Sequence, residues 1–357
     1  MKHHKILYIF AFACLGLLTS YVSFGLRKDT LVKVEPSETK LRFIGEFVVP
    51  NDKIYGGTLV GGLSGIDYDS QTGNYYLICD DRSEQQPARF YSAKLFFNQS
   101  TFDSIVFNGV NFIKQPNGEN FPSKEQDKYK VPDPESIRYV KHTKSLLWSS
   151  EGERKINSRD TILIDPFLRE MDLKGSFVKE YKLPTIFKMS SKETGPRVNG
   201  TFEGIALSSD EKFIYLSLEE PLYQDGPRAD TQITKWYIRI IKINRSKNRI
   251  AAQYAYQLDQ IHSSPFPAIG FKVNGVDEIM SVSNDKLFVI ERSFALGAFP
   301  PNSVRIYEVE LKTGSNVNSL GSLQNAEIKT VKKKLLIEVR ITQSATNSPR
   351  APISASA

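Results

Sequence analysis

Seven carboxylates stand at matched points of this chain and are its groups best suited to chemistry. Asp80, Asp81, Glu151, Glu219 and Glu291 each follow a short apolar run, and Glu135 and Glu203 each precede one. Gathered in one place, such groups repel one another and need a cation; an all-oxygen, sulfur-free donor set suits Ca²⁺ or Mg²⁺. Arg82, Arg154 and Arg292 lie close to these acids in sequence, as do Arg197 and Arg228. A guanidinium forks onto two oxygens of a phosphate, while a metal neutralises charge in phosphoryl transfer or polarises an ester carbonyl. The expectation is a divalent cation, Ca²⁺ by preference, held among Asp80, Asp81, Glu135, Glu151, Glu203, Glu219 and Glu291. Glu203, Glu219, Arg82, Arg154 and Arg292 would then act on the substrate. The plainer alternative pairs each acid with an arginine or a turn and leaves the set structural.

What brings these groups together must be a repeat. Arg197 to Leu222 reads RVNGTFEGIALSSDEKFIYLSLEEPL, a β-hairpin with an acid before its first strand and two after its second. Three more copies run from Gly62 to Arg82, from Asp133 to Arg154 and from Gly275 to Arg292. Their anchoring isoleucines, Ile66, Ile137, Ile205 and Ile279, are 71, 68 and 74 residues apart. So even a period indicates an array of β-units. Further strand-like runs follow each hairpin, such as Ala88 to Phe97, Lys235 to Ile243 and Ser303 to Leu311. Four strands per unit predict an all-β fold, a β-propeller of about five or six blades. Equivalent positions then converge on one face of the disc. Lys332 to Ile341 reads as the start of a fifth unit whose acidic hairpin never follows, so the last blade is expected to be incomplete.

Other motifs carry less. Ser64 in GGLSG has the wrong spacing for a nucleophile elbow and no helix after it. His142 and His262 read as isolated exposed histidines, and Trp148 and Trp236 as core. No phosphate loop, paired CxxC or HExxH occurs. The formal net charge of +7 is dispersed, with no basic stripe to bind nucleic acid. Residues 1–25 have Lys2 and Lys5 before an apolar core, Ile6 to Leu18, too short to span a bilayer permanently. They predict a cleaved signal peptide and a periplasmic or extracellular protein. Its processed form keeps one thiol, Cys79, expected to be buried and inert. Residues 26–40 read as a flexible leader, 41–341 as the propeller, opening with a strand from Leu41 to Val49, and 342–357 as an off-pattern tail.

Several motifs in order carry a likeness to a known family: GGLSGIDYDSQTGNYYLICDDR, ARFYSAKL, DPESIRYV, LLWSSEGER, FEGIALSSDEKFIYLSLEEPL, GVDEIMSV and LFVIERSF. Together they resemble the phytase-like, "esterase-like activity of phytase", family of exported β-propellers. The resemblance implies a β-propeller and phosphoester or ester hydrolysis; the expected partner is a small phosphorylated or ester substrate, and the chain is expected to be a monomer. A non-catalytic binding propeller and a lactonase-like metal-dependent hydrolase are the alternatives.

Overall fold

A computed structural model describes residues 39–232 and 234–341. The signal, all but the end of the leader, and the tail lie outside the described residues, within which no helix is long and apolar enough to cross a membrane. Four antiparallel sheets of four strands each dominate the described chain. The first blade comprises Leu63–Asp69, Asn74–Cys79, Arg89–Phe97 and Phe102–Phe112. The second comprises Pro134–Val140, Ser145–Ser150, Phe167–Asp172 and Phe177–Glu180, with the hairpin Glu153–Ile156 and Thr161–Ile164 inserted after its second strand. Phe202–Leu207, Phe213–Leu218, Tyr237–Asn244 and Arg249–Gln257 form the third. Lys272–Ser283, Lys286–Ala295, Asn302–Glu310 and Lys332–Ile341 form the fourth. The first strands of the blades pack side by side in chain order, so this is a β-propeller. Burial follows position: Pro134–Val140 and Ser145–Ser150 are buried throughout, whereas the outer Phe177–Glu180 alternates.

Three expectations are corrected. The described residues form four blades rather than five or six, and the last of these has all four strands. Lys332–Ile341 pairs with Asn302–Glu310 as the outer strand of the fourth sheet. It looked like a new unit because a long excursion precedes it, and that excursion packs on the third blade. Val317 N donates to Gln253 O and Val331 N to Ala255 O, and Leu323 N donates to the Asp225 carboxylate, which is itself held by a fully buried Arg239 at 2.7 and 2.9 Å. The expected strand from Leu41 to Val49 joins no sheet. It runs across the blades instead, with Phe47 against Phe102 of the first and Thr39 Oγ donating to Glu308 of the fourth.

The inner strands share two features at the axis. Each carries a register shift against its neighbour at the same point: Leu63/Gly65, Pro134/Ile137, Phe202/Gly204 and Val276/Glu278. Just beyond it, Arg138 of the second blade's inner strand reaches the inner strands of the other three blades. Its Nε donates to Ile205 O at 2.7 Å, Nη1 to Ile66 O and the Asp67 carboxylate, and Nη2 to Ile279 O and the Glu278 carboxylate at 3.0 Å. Glu278 in turn accepts from Ser136 Oγ, Ile205 N and Ile279 N. Gly204 lets the third and fourth blades approach: a Cβ there would stand 2.8 Å from Ile279 N.

Arg138→Met leaves Glu278 buried without its cation and is expected to lower unfolding stability by about 3–5 kcal/mol in urea titration. Adding Glu278→Gln to that variant is expected to recover part of the loss. A second tie predicts acid sensitivity. Glu170 of the second blade is buried, which alone would raise its pKa. Bonds from the Ser145 and Tyr181 hydroxyls and the charge of Arg245 from the third blade outweigh that and bring it to about 2, from an ordinary 4.5. Because the folded value is the lower one, this stabilisation is present above pH 4.5 and is lost as pH falls towards 2. It amounts to about 3 kcal/mol, so Glu170→Gln is expected to flatten the fall of the urea midpoint across that window.

Candidate functional site

The register shifts decide where the acids point. A bulge inserts one residue, bends the strand and re-aims the side chain on it. The residues on the four bulges are Ser64, Glu135, Glu203 and Asp277. The residues that follow the second strands and face them are set by the pairings Leu63 with Cys79, Pro134 with Ser150, Phe202 with Leu218 and Val276 with Glu291. The next residues are therefore Asp80, Glu151, Glu219 and Arg292. Glu291 is thus the counterpart of Cys79, Ser150 and Leu218, one residue out of step with Glu151 and Glu219. A one-residue slip sends a side chain to the opposite face. Glu291 accordingly meets Tyr256 Oη at 2.6 Å, Lys333 Nζ at 2.6 Å and Asn274 Nδ2 at 2.7 Å, and belongs to neither group of clustered acids.

Two carboxylate triads form at the second and third blades. Asp133, Glu135 and Glu151 make one; Glu151, Glu203 and Glu219 make the other, and in each the oxygens lie within 4.8 Å of one another. All five residues are buried. Glu151 belongs to both triads and also locks the blades, since Thr201 N donates to its carboxylate at 2.8 Å and Thr201 Oγ to its carbonyl. Two arginines flank the group. Arg82 from the first blade binds Asp133, Glu153 at 2.8 Å and Asn199 Oδ1 at 3.0 Å. Burial alone would lower its pKa, but Asp133, Glu153 and Glu151 raise it. Arg292 donates to Asp277 at 2.9 Å, and Asp277 raises its pKa against burial, helped by Glu219 and Glu203. Where the second and third blades oppose two carboxylates, the fourth therefore opposes a carboxylate and a guanidinium.

The family model for phytase-like proteins, described as esterase-like activity of phytase, matches residues 58–347. The chain belongs to this family. No curated protein matches it. Among solved structures, the phytase-like chain is similar to the Dos1 propeller at 6% identity and TM-score 0.34, over 76% of this chain and 58% of that one. It is also similar to a periplasmic gluconolactonase of Pseudomonas aeruginosa, at 10% identity and TM-score 0.32 over 83% and 89% of the two chains. A third is a putative 6-phosphogluconolactonase of Bacteroides fragilis, at 13% identity and TM-score 0.33 over 80% and 72%. The phytase-like chain thus spans little more than half the length of the Dos1 propeller.

The remaining candidates of this phytase-like propeller have other partners. Asp81 accepts from Arg89 at 2.8 Å and from the backbone N–H groups of Glu84, Gln85 and Gln86, which organises the loop after the second strand. Arg154 donates to Ser190 O and Lys192 O and lies over the Tyr223 ring. Arg197 lies over the same ring and donates to Pro221 O and Gly226 O, so both staple loops together. Arg228 pairs with Glu220 at 3.0 Å, whose pKa burial and then its neighbour Glu219 push up to about 8. Ser64 Oγ donates to Pro134 O. Cys79 is buried, its thiol pushed up by burial to about 12, as an inert thiol should be. Trp148 and Trp236 are core, while His262 is not exposed but lies between Ser293 Oγ and Pro300 O. Sequence reasoning passed over Asp133, Arg138 and Glu278; the motif DPESIRYV held the first two, and GVDEIM held the third beside Asp277.

Asp80 is set by the turn in front of it. Gly62 sits at φ +55°, and a Cβ on it would fall 1.7 Å from Asp80 Oδ1. Gly62→Ala is therefore expected to cost about 2 kcal/mol, from backbone strain and a displaced carboxylate together. Adding Asp80→Ala is expected to return only the clash component, measured by a double-mutant cycle in urea.

Proposed function

We propose that this propeller hydrolyses a phosphoester or ester at a mouth between its second and third blades, and that a divalent cation, Ca²⁺ by its donor chemistry, assists it. The observation carrying this reading is the shared position of Glu151 in two buried triads whose oxygens lie within 4.8 Å of one another. The donors fit such an ion. They are oxygens only, and Arg82 and Arg292 bring two positive charges to five carboxylates, a balance that buried charge tolerates poorly. Glu151 with the partners of one or other triad, Asp133 and Glu135 or Glu203 and Glu219, would hold the ion, which when bound would polarise the scissile phosphoryl or carbonyl oxygen. Glu203 and Glu219, from facing points of one hairpin, are placed to take a proton from water, and Arg292, partly exposed at the rim, to meet an anionic oxygen of the substrate. Family membership supports the reaction class, and the basic, apolar start of residues 1–25 supports export and processing. The bond from Thr201 N to Glu151 favours one rival, a binding propeller in which these acids only join blades.

Titration calorimetry with Ca²⁺ and turnover of p-nitrophenyl phosphate and p-nitrophenyl acetate test the proposal. Saturable Ca²⁺ binding is expected, with turnover abolished by EDTA and restored by Ca²⁺. Glu203→Gln and Glu219→Gln are each expected to lower kcat by about a hundredfold while leaving the fold intact. Turnover indifferent to EDTA would remove the cation, and no turnover of either ester would favour the binding propeller.

A further inference from the structure

Beside the buried acids, the turn from Val198 to Gly200 is held from three blades. Arg228 Nη2 of the third blade donates to Val198 O at 3.2 Å, and Arg82 Nη2 of the first donates to Asn199 Oδ1 at 3.0 Å. Glu220 N donates to Gly200 O at 3.3 Å, and Thr201 N, next along the chain, donates to the Glu151 carboxylate of the second blade at 2.8 Å. Asn199, at the centre of the turn, has a left-handed backbone with φ +47°. A residue kept in that conformation by so many ties presents its side chain in one place. The direction of the amide is fixed as well. A guanidinium only donates, so the carbonyl end of Asn199 must face Arg82 and its NH₂ end must face away. Asn199 is exposed, and none of the described residues accepts from its Nδ2. Asp133 shares Arg82 Nη2 with Asn199, which puts this amide beside the first triad.

We infer that Asn199 Nδ2 holds a phosphoryl oxygen of the substrate, so that the substrate of this mouth is a phosphoester; the inference rests on the hydrolase reading. The clustered groups are carboxylates, which accept and repel such an oxygen. Substrate must therefore be gripped by donors at their margin. Arg82 is taken up, with Nη1 on Glu153 and Nη2 on Asp133 and Asn199. Two donors remain at separate places. Asn199 stands by Asp133 of one triad, and Arg292 is near enough to Glu203 and Glu219 of the other to feel their charge. A phosphoryl group offers several non-bridging oxygens to donors that are set apart, whereas an ester offers a single carbonyl oxygen. An N–H bond to an anionic oxygen is also roughly twice as strong as one to a neutral oxygen.

Calorimetric titration of phenylphosphonate, an inert phosphoester mimic, into the full chain with Ca²⁺ present tests this, alongside turnover of p-nitrophenyl phosphate and p-nitrophenyl acetate. Glycine adopts the left-handed backbone readily, so Asn199→Gly removes the amide and spares the turn. It is expected to weaken phenylphosphonate binding about tenfold or more, with little change in the urea midpoint or in Ca²⁺ affinity. Asn199→Asp keeps an acceptor for Arg82 but replaces the donor by an anion, and is expected to weaken binding at least as much. A side chain that merely fastens the turn gives the reverse pattern: a lower urea midpoint in Asn199→Gly and binding retained in Asn199→Asp. Equal phenylphosphonate affinity in wild type and both variants would overturn the inference. So would no binding in wild type, or a loss confined to p-nitrophenyl acetate turnover. Binding that both variants weaken, in a chain that turns over neither ester, would uphold the inference and remove hydrolysis instead.

Discussion

Four inner strands meet on the guanidinium of Arg138. The second blade's strand carries it and each of the other three brings it a carbonyl or a carboxylate; because the group is planar with donors on three sides, it holds the blades together at their centre. Burial opposes its charge, but Glu278 and Asp67 supply the counter-charges and its pKa is raised. The Glu278 carboxylate passes the tie on to Ser136 and Ile205. An apolar plug could fill the same volume, yet it would give no donors to the inner-strand carbonyls of Ile66, Ile205 and Ile279 that Arg138 now serves. The polar centre thus sets the register in which everything on the rim is placed.

That register explains how a buried carboxylate cluster is tolerated. The bulges beside the hub re-aim Glu135, Glu203 and Asp277, and the hairpin pairings set Glu151, Glu219 and Arg292 opposite them. Negative charge is therefore concentrated at the second and third blades and relieved at the fourth by the Arg292–Asp277 pair. On the other side the first blade contributes Arg82 to Asp133 and Glu153. The asymmetry among copies of one repeat gives a local cluster of acids rather than a uniform ring. Three arginines that could have joined the mouth, Arg154, Arg197 and Arg228, are instead committed to loop carbonyls, the Tyr223 ring and Glu220. They hold the rim of the third blade rigid around the acids.

The period of the hairpins, the strand count per blade, the buried thiol and most of the mouth acids could be read along the chain, because a strand's alternation and a turn's residues are local properties. Sequence also showed which family the motifs resemble. It could not number the blades, since the excursion before Lys332–Ile341 crosses to the third blade and imitates the opening of a new unit. Nor could it place Glu291, whose one-residue offset is invisible until the pairing with Val276 is known. Asp133, Arg138 and Glu278 lay inside motifs that were noticed, but their importance is a matter of what faces them across blades. Local pattern wrote the repeat; only the packing of the blades about their axis decided which carboxylates face each other and which are turned away to a lysine or an arginine.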